Sequence, residues 1–539
     1  MLRRTMERRW LDATERAAPW LAGLVLAAPI VAVRYPPMGD LAMHEALVAI
    51  LRHRGEPGWA PPGLYGVVAP QANQLFAWLA TLLSFVMPTD AACKVVVAAS
   101  VFAAPPAAAR LLGRLGQRRW LALLLGPVAC GWMFRWGLVA NLTGLAALLV
   151  ALPSVERLAR RPTGGAAAAC ALSVAVVFFA HESSAVALAV VAGVFALVRG
   201  RTAGGVALRM APALLVLALV LVQWKVSDAL VSPGMRIVGT YFGAGVGERL
   251  LGLPGAVFGG LGAARLVVVG GVWCAALFAS ALGRRPAPAA PLRVACWRHR
   301  YALLAATFVL LFLVFPMGVG GTTLVAYRFL PAACIGLVAA CAARARSWPV
   351  VALSVAAPLA ILGAEARDFV RADGSYRALD RIIALVPRDV AVAQLDLTPR
   401  GPGHVAPVPG AASRVLAERG GRMLFAMTDM PPNPVVVPEA LRWNEPVRRL
   451  VATPYAFAPA HDLTRFGYLL VRDESPAMRP LVARALAPEA ELVASEREWA
   501  LFRSRLPTVP LTAPDGPLPE PPPETLAARV QRLLPAAPR

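Results

Sequence analysis

A succession of long apolar runs, separated by clusters of arginine, constrains this chain more than any other feature. A helix needs about twenty mostly apolar residues to cross the hydrocarbon core of a bilayer. The composition agrees, because 58% of the 539 residues are hydrophobic and only 16% are charged. The chain is therefore predicted to be an α-helical polytopic membrane protein.

The formal net charge of +23 is distributed unevenly along the chain. Residues 1–364 carry 32 Lys and Arg against 11 Asp and Glu, whereas residues 365–539 carry 22 against 20. Basic clusters alternate with the apolar runs, at 3–9, 110–119, 156–161, 199–209, 283–300 and 344–347. This spacing is typical of cytoplasmic loops, whereas a nucleic-acid-binding protein needs one contiguous basic face. We therefore expect membrane lipids, and no nucleic acid, as partners.

If every basic cluster is cytoplasmic, the chain crosses the membrane about eleven times. The predicted spans are 17–34, 93–109, 121–134, 138–153, 166–180, 184–198, 210–226, 264–282, 302–318, 329–343 and 348–364. The apolar stretch at 74–87 is short for a span, so it is predicted to lie along the outer surface. The first span has no convincing cleavage site, which predicts a retained signal anchor with a cytoplasmic N-terminus.

The predicted organisation follows from this topology. It has a cytoplasmic N-terminus (1–16), a membrane domain (17–364) with its first outer loop at 35–92, an extracytoplasmic soluble α/β domain (365–505) and a Pro-rich tail (506–539). The α/β prediction depends on a helical pattern at 374–386 and on strand-like segments at 389–397, 433–438, 467–473 and 498–504. The richness in Ala, Arg and Pro, with only two lysines, indicates a GC-rich genome and hence a bacterial cytoplasmic membrane.

Polar residues at the outer ends of the predicted spans are the candidate functional residues. Ionisable groups at membrane depth are costly, so a retained one is a functional candidate by default. The candidates are Asp40, His44 and Glu45 in the first loop, Arg135 beside Asn141, His181 and Glu182 between two spans, and Tyr327 and Arg328 at the mouth of a span. We expect Asp40, His181 and Arg328 to line one outward-facing cavity.

Each candidate also has a purely structural interpretation. Asp40 precedes a helix with apolar residues at 41, 43, 47, 48, 50 and 51, so its carboxylate could simply cap that helix. His44, one turn further on, could be an interfacial residue. His181 and Glu182 could form only a polar hairpin tip, and Arg328 could extend toward lipid phosphates.

The seven cysteines support neither a disulfide framework nor a metal site. All of them precede residue 365, and none forms a CxxC pair or a ligand cluster. They are predicted to be packing residues. The sequence requires no cofactor, and a divalent metal stays possible without a ligand cluster to support it.

The layout resembles the GT-C superfamily of membrane glycosyltransferases. The resemblance depends on a retained first span, an outer loop that opens with Gly39-Asp40, a helix carrying His44, the segment GEPGWAPP at 55–62, a surface helix, many further spans and an α/β tail. It implies an enzyme that moves a sugar from a polyprenyl-phosphate carrier to an acceptor outside the cytoplasmic membrane; the identity of that acceptor is unknown.

The resemblance also implies roles for the candidate residues. Asp40 matches the first-loop carboxylate that acts as general base on the acceptor hydroxyl. Arg328, with His181 as second choice, would meet the negative charge of the leaving phosphate, because the guanidinium fork suits phosphate oxygens. His44 would orient Asp40 or contact the phosphate. His181, Glu182, Tyr327, Arg328 and Arg135 form the predicted substrate-binding and phosphate-binding set.

The chain departs from the family pattern at one point, which leaves two alternatives open. Many GT-C enzymes carry a second acid close to the first, whereas Leu41 follows Asp40 here. A non-catalytic GT-C-like membrane protein is therefore one alternative. A transporter of lipid-linked substrates is the other, although the chain shows no convincing internal repeat and its mid-span positions are mostly Ala, Val, Leu and Gly.

Overall fold

The computed structural model describes most of the chain and shows it to be largely helical. The described residues are 2–69, 71–230, 240–259, 261–282, 290–319, 322–341, 347–398, 410–424, 427–429, 433–444, 447, 450, 453–475, 477–513 and 524–534. The longer and the site-bearing helices are α1 (Leu2–Ala32), α2 (Leu41–Arg52), α3 (Leu75–Ser84), α4 (Thr89–Arg114), α5 (Leu125–Ala129), α6 (Trp132–Trp136), α7 (Val139–Arg160), α8 (Gly164–Ala180), α9 (Glu182–Arg199), α10 (Ala203–Leu230), α11 (Val246–Phe258), α12 (Ala263–Leu282), α13 (Leu292–Arg298), α14 (Arg300–Val314), α15 (Leu330–Cys341), α16 (Trp348–Ile383) and α17 (Ser413–Arg419). Three short helices follow at Pro459–Asp462, Met478–Leu486 and Leu526–Leu533.

The apolar helices confirm the predicted fold class. Seven described helices are long and apolar enough to cross a bilayer, or eight if the bent pair α13 and α14 forms one span. Four shorter apolar helices lie at Leu75–Ser84, Trp120–Trp136, Gly164–Ala180 and Ala326–Cys341. All eleven predicted spans overlap helices in these groups, and the protein is therefore a polytopic helical membrane protein. The number of crossings remains a prediction.

Two helices differ from the sequence-based prediction. The pattern at 348–364 and the pattern at 374–386 belong to one helix, α16, which is 36 residues long. Hydropathy falls after residue 364, but the polar residues that follow keep the helical backbone. The predicted span at 302–318 begins inside α14, which is bent by 75° from the preceding helix α13.

The chain divides into two compact units. The first comprises Met1–Ala32, Gln71–Phe76 and Lys94–Arg367. Its interior contains large side chains with almost no exposure, among them Phe134, Phe195, Phe308 and Phe312. The short strands β2 (Thr240–Tyr241), β3 (Gly318–Val319) and β4 (Thr322–Thr323) form an antiparallel sheet in this unit.

The second unit comprises Val33–Pro70, Ala77–Cys93 and Asp368–Arg539, so the segment after α1 is grouped with the C-terminal chain. The strands here are β1 (Gly66–Val67), β5 (Ala391–Asp396), β6 (Arg422–Met423), β7 (Val435–Val436), β8 (Tyr468–Arg472), β9 (Ala490–Glu496) and β10 (Trp499–Ser504). Five of them form a mixed sheet in the order β6-β5-β8-β10-β9, with β5 parallel to β6 and β8. The remaining pair, β1 and β7, is antiparallel.

The mixed sheet and the helices packed on it confirm the predicted α/β character of the C-terminal chain. Leu395, Leu469 and Phe502 lie in its core with almost no exposure. Strands occur in all four segments predicted from the sequence, and β6 and β9 are additional strands at the two edges of the mixed sheet. The tail predicted to be Pro-rich falls partly outside the described residues; its described part includes the helix at Leu526–Leu533.

Candidate functional site

The candidate residues divide between the two units. Asp40, His44 and Glu45 belong to the second unit. Arg135, His181, Glu182, Tyr327 and Arg328 belong to the first.

Asp40 stands at the start of α2 but does not cap it. Its backbone carbonyl accepts from the N–H groups of Met43 and His44, at 3.0 and 3.1 Å, whereas its side chain makes no capping hydrogen bond. The structural interpretation of this carboxylate as a helix cap is therefore not realised. Burial raises the pKa of Asp40 to about 7, which leaves a carboxyl group that gains and loses its proton near neutral pH.

His44 and Glu45 follow on the same helix, and burial shifts their pKa values in opposite directions. Burial lowers the pKa of His44 to about 4, so its imidazole is neutral at pH 7. It therefore offers hydrogen bonding and not positive charge. Burial raises the pKa of Glu45 to about 7, although Arg414 acts in the opposite direction. Glu45 accepts from the Tyr35 hydroxyl at 2.9 Å and from Arg414 Nη1 at 3.1 Å.

The structure brings His181 and Arg328 together in the first unit. His181 is the single extended residue between α8 and α9, and it is buried. Its Nε2 lies 3.4 Å from Nη1 of Arg328, and its Nδ1 lies 3.4 Å from the Ser184 hydroxyl. Because a guanidinium only donates hydrogen bonds, this contact favours a neutral imidazole with Nε2 as acceptor. The positive charge at this place belongs to Arg328.

Two residues that the sequence analysis did not single out shape the turn at His181. A Cβ on Gly144 of α7 would lie 2.5 Å from both the His181 Cβ and the Ser184 Oγ, so only glycine allows α7 to approach this closely. Asn73, which has a φ of 64°, accepts from the Glu182 N–H at 2.8 Å and thereby satisfies a free donor at the start of α9. Asn tolerates this left-handed conformation better than most residues.

Arg328 lies in a short 3-10 turn, Ala326–Phe329, that leads into α15. Ala326 and Phe329 are buried, which fixes the turn on both sides of the candidate residues. The Tyr327 ring packs against Trp132, at 5.4 Å between centroids, and against Phe312, at 5.6 Å. Tyr327 is thus held by aromatic packing beside the guanidinium.

Arg249 of α11 stabilises the chain that precedes this turn. Its guanidinium donates to the carbonyls of Phe312, Leu313 and Phe315, at 2.8, 3.2 and 2.6 Å. These carbonyls lie at the end of α14, where intrahelical donors are missing. Nothing in the local sequence distinguishes Arg249 from the other arginines of the membrane half, so sequence analysis could not identify it.

Arg135 has a different environment from Arg328. It lies on α6, and its Nη1 donates to Glu365 Oε2 at 2.9 Å. The Glu365 side chain is only 2% exposed, so this is a buried ion pair. An arginine already neutralised by a buried carboxylate is less suited to a phosphate, which weakens the predicted binding role of Arg135.

An apolar groove runs between α14 and α15, the two helices that flank the turn of Arg328. Its volume is about 570 Å³. The lining residues are small or aliphatic and include Ala302, Ala306, Leu310 and Leu337. Among the described residues, no group of three or more His, Cys, Asp or Glu side chains is arranged to hold a metal ion.

Comparison with known proteins relates this arrangement to solved membrane structures. No protein-family model matches the sequence, and no curated protein matches it. A crystal structure of ArnT from Cupriavidus metallidurans bound to undecaprenyl phosphate matches with a TM-score of 0.51 and 13% identity, over 94% of this chain and 99% of that one. The apo structure of the same protein matches with a TM-score of 0.52 and 12% identity, over 91% and 98%. The chain therefore has the fold of these ArnT structures, and ArnT is a GT-C glycosyltransferase.

Proposed function

We propose that this protein is a membrane glycosyltransferase that moves a sugar from a polyprenyl-phosphate carrier to an extracytoplasmic acceptor. The observation that carries the proposal is Asp40. In a chain with the fold of ArnT, a carboxylate with no capping role stands in the first loop after α1 and has a pKa of about 7. A carboxylate with this pKa is well matched to general-base chemistry at neutral pH.

Asp40 is assigned the role of general base. The acceptor hydroxyl is a weak nucleophile, and the carboxylate takes its proton as the oxygen attacks C1 of the sugar. The new C1–O bond forms while the bond from C1 to the phosphate oxygen breaks. The electron pair of the broken bond stays on the phosphate, and the proton stays on Asp40. The neutral His44 is assigned an orienting role, because its imidazole cannot supply a cation at pH 7.

Arg328 is assigned the role of binding the phosphate. The leaving phosphate gains negative charge in the transition state, and a guanidinium can donate two parallel hydrogen bonds to its oxygens. The contact from Nη1 of Arg328 to His181 sets the orientation of the guanidinium plane. His181 therefore supports Arg328 as a hydrogen-bond acceptor. Tyr327 and Glu182, which flank this pair in sequence, complete the proposed binding set.

The apolar groove between α14 and α15 is assigned to the prenyl chain of the carrier. It lies on the two helices that flank the turn of Arg328, and its lining is almost wholly apolar. A prenyl chain in this groove packs against apolar side chains through van der Waals contacts, the interaction that also drives helix association inside a bilayer. The structure of ArnT bound to undecaprenyl phosphate supports a carrier of this class.

The orientation belongs to the same proposal. The alternation of basic clusters and apolar helices supports a cytoplasmic N-terminus, an extracytoplasmic C-terminal domain and a location in the bacterial cytoplasmic membrane. A reporter fused after Ala364 tests it. Activity of an enzyme that works only in the periplasm is expected, and activity of a strictly cytoplasmic reporter would contradict the orientation.

Sugar transfer by the purified protein tests the enzymatic proposal. Polyprenyl-phosphate donors with different sugars and chain lengths are incubated with the protein and candidate acceptors. The polyprenyl phosphate that is released is measured. Release that requires both acceptor and protein supports the transferase. No release across a broad panel would favour the non-catalytic GT-C-like alternative, and movement of an intact lipid-linked sugar across a proteoliposome membrane would favour the transporter.

A further inference from the structure

A buried network of charged side chains surrounds Arg414 in the second unit. Its guanidinium is fully buried and donates from Nη1 to both carboxylate oxygens of Glu45 at 3.1 Å. It also donates from Nε to Asp380 at 2.9 Å and from Nη2 to Glu418. One cation thus binds three carboxylates from α2, α16 and α17.

The segment that joins α1 to α2 is fixed by the same network. Arg34 donates from Nε to Asp380 at 2.7 Å and forms an ion pair with Asp90. The neighbouring Tyr35 is buried between two partners. Its ring stacks on the Tyr376 ring, at 4.1 Å between centroids. The Arg414 guanidinium lies over the face of the Tyr35 ring, 4.9 Å from the ring centroid.

Close backbone packing provides a second and independent contact at the start of α2. A Cβ built on Gly410 would lie 2.9 Å from the carbonyl oxygen of Gly39 and 3.0 Å from the Met43 side chain. The segment that leads into α17 therefore presses directly on the residue before Asp40. A larger side chain at Gly410 would have to displace that residue.

We propose that Arg414 is a positioning residue for Asp40, and that the C-terminal chain thereby forms part of the scaffold of the catalytic base. This inference rests on the proposed function, because it assigns a role in the same reaction. Arg414 holds Glu45, and Glu45 lies on α2 five residues after Asp40. Because α2 is a single rigid helix, fixing Glu45 fixes the rotation and depth of the helix that presents Asp40.

The geometry requires arginine at this position. Nη1 of the planar guanidinium binds Glu45 while Nε binds Asp380 and Nη2 binds Glu418, so three nitrogens reach three carboxylates. Lysine keeps the charge but offers a single point of contact. A displacement of the catalytic group by about 1 Å can lower the rate by on the order of 10²-fold.

Hydrogen exchange of the full-length protein in detergent tests the link without any assay of activity. The variants are Arg414→Lys and Glu45→Gln, and Arg503→Gln is the control because its ion pair with Glu491 is exposed. We expect the amides of residues 41–48 to exchange roughly tenfold faster or more in both variants, with those of 490–504 unchanged. Unchanged exchange at 41–48 in both variants would overturn the proposal, whatever the transfer assay gives.

Kinetics separate positioning from a general loss of structure. If the wild type transfers sugar, we expect kcat to be lower by on the order of 10²-fold in both variants. The KM for the donor should change little. The double variant should be no slower than the slower single variant, because both changes break the same contact. Additive losses would contradict the proposal.

A wild type without transfer would contradict the proposed function instead. The exchange result would then still decide whether Arg414 fixes the position of α2. If Arg414→Lys fails to fold, the nearly isosteric Glu45→Gln carries the test.

Discussion

Nη1 of Arg328 lies 3.4 Å from Nε2 of His181, although the two residues are 147 positions apart in the chain. The contact fixes the chemical roles of both side chains. A guanidinium can only donate, so the imidazole nitrogen that faces it accepts and the ring is neutral. Of the two side chains in this contact, Arg328 carries the permanent positive charge and His181 is neutral.

Substitution of Arg328 tests its proposed role at the phosphate. We expect Arg328→Gln to lower the rate of transfer by about 10²–10³-fold, the loss typical of removing one transition-state hydrogen-bond donor. Arg328→Lys should retain part of the activity, because it keeps the charge and loses the planar fork. Rates are measured with a saturating acceptor. Arg201→Gln, at an exposed position, serves as the control, and a loss there equal to that of Arg328→Gln would contradict the assignment.

The pH dependence of transfer reports the ionisation of Asp40. Its pKa of about 7 means that the base is protonated below that pH and ionised above it. We therefore expect kcat/KM to rise about tenfold per pH unit below pH 7 and to level off above it. His44, with a pKa of about 4, stays neutral near pH 7 and does not contribute to this rising limb of the pH profile.

Glu45 also has a pKa of about 7, so a control is needed to assign that limb. The Glu45→Gln variant should be slower yet keep the same rise toward pH 7. A flat profile between pH 5 and 9 would contradict the role of Asp40. So would loss of the limb in Glu45→Gln.

Substitution of Gly144 tests the packing that positions His181. The added methyl group of Gly144→Ala would lie 2.5 Å from the Cβ of His181 and 2.5 Å from the Oγ of Ser184, so both residues must move. We expect a loss of about 1–3 kcal/mol in the free energy of unfolding and slower transfer. Gly271→Ala is the matched control in α12, because no atom lies within 4 Å of its added carbon. There alanine should stabilise the helix by about 0.5–1 kcal/mol. Thermal unfolding with equal losses at both positions would argue against this account.

Filling the groove between α14 and α15 tests the proposed place of the prenyl chain. Ala306→Phe adds a ring to the groove lining, and it should raise the KM for long-chain donors more than for short-chain donors. Leu303→Phe, at an exposed position on the same helix, is the control. An equal change in KM for long-chain and short-chain donors would show that the prenyl chain does not bind in this groove.

The helical fold could be predicted from the sequence, whereas the partners of the candidate residues could not. Apolar length and basic clusters locate spans, because the bilayer imposes both on the chain. Asp40 was singled out as a polar residue at the predicted outer face of the membrane, and its role as a base stays a prediction. The pairing of Glu45 with Arg414 spans 369 positions, and the balanced charge of the C-terminal chain gives no signal for which arginine is buried.

Several local features were missed for physical reasons. Strand β9 is largely exposed at the edge of the sheet, so its residues lack the apolar alternation that identifies a strand. The continuity of α16 was missed because hydropathy reports where the apolar environment ends and not where helical hydrogen bonding ends. Gly144 and Asn73 matter through close approach and a left-handed backbone, which a single sequence does not reveal.

The most direct test of the central claim compares sugar transfer by the wild type and by Asp40→Asn. Asparagine keeps the shape of the side chain and removes the base, and Asp40 makes no capping bond whose loss could unfold α2. We predict that the wild type transfers sugar from a polyprenyl-phosphate donor. The folded variant should be slower by about 10²–10⁴-fold, the usual contribution of a general base. A fully active Asp40→Asn variant would contradict the account.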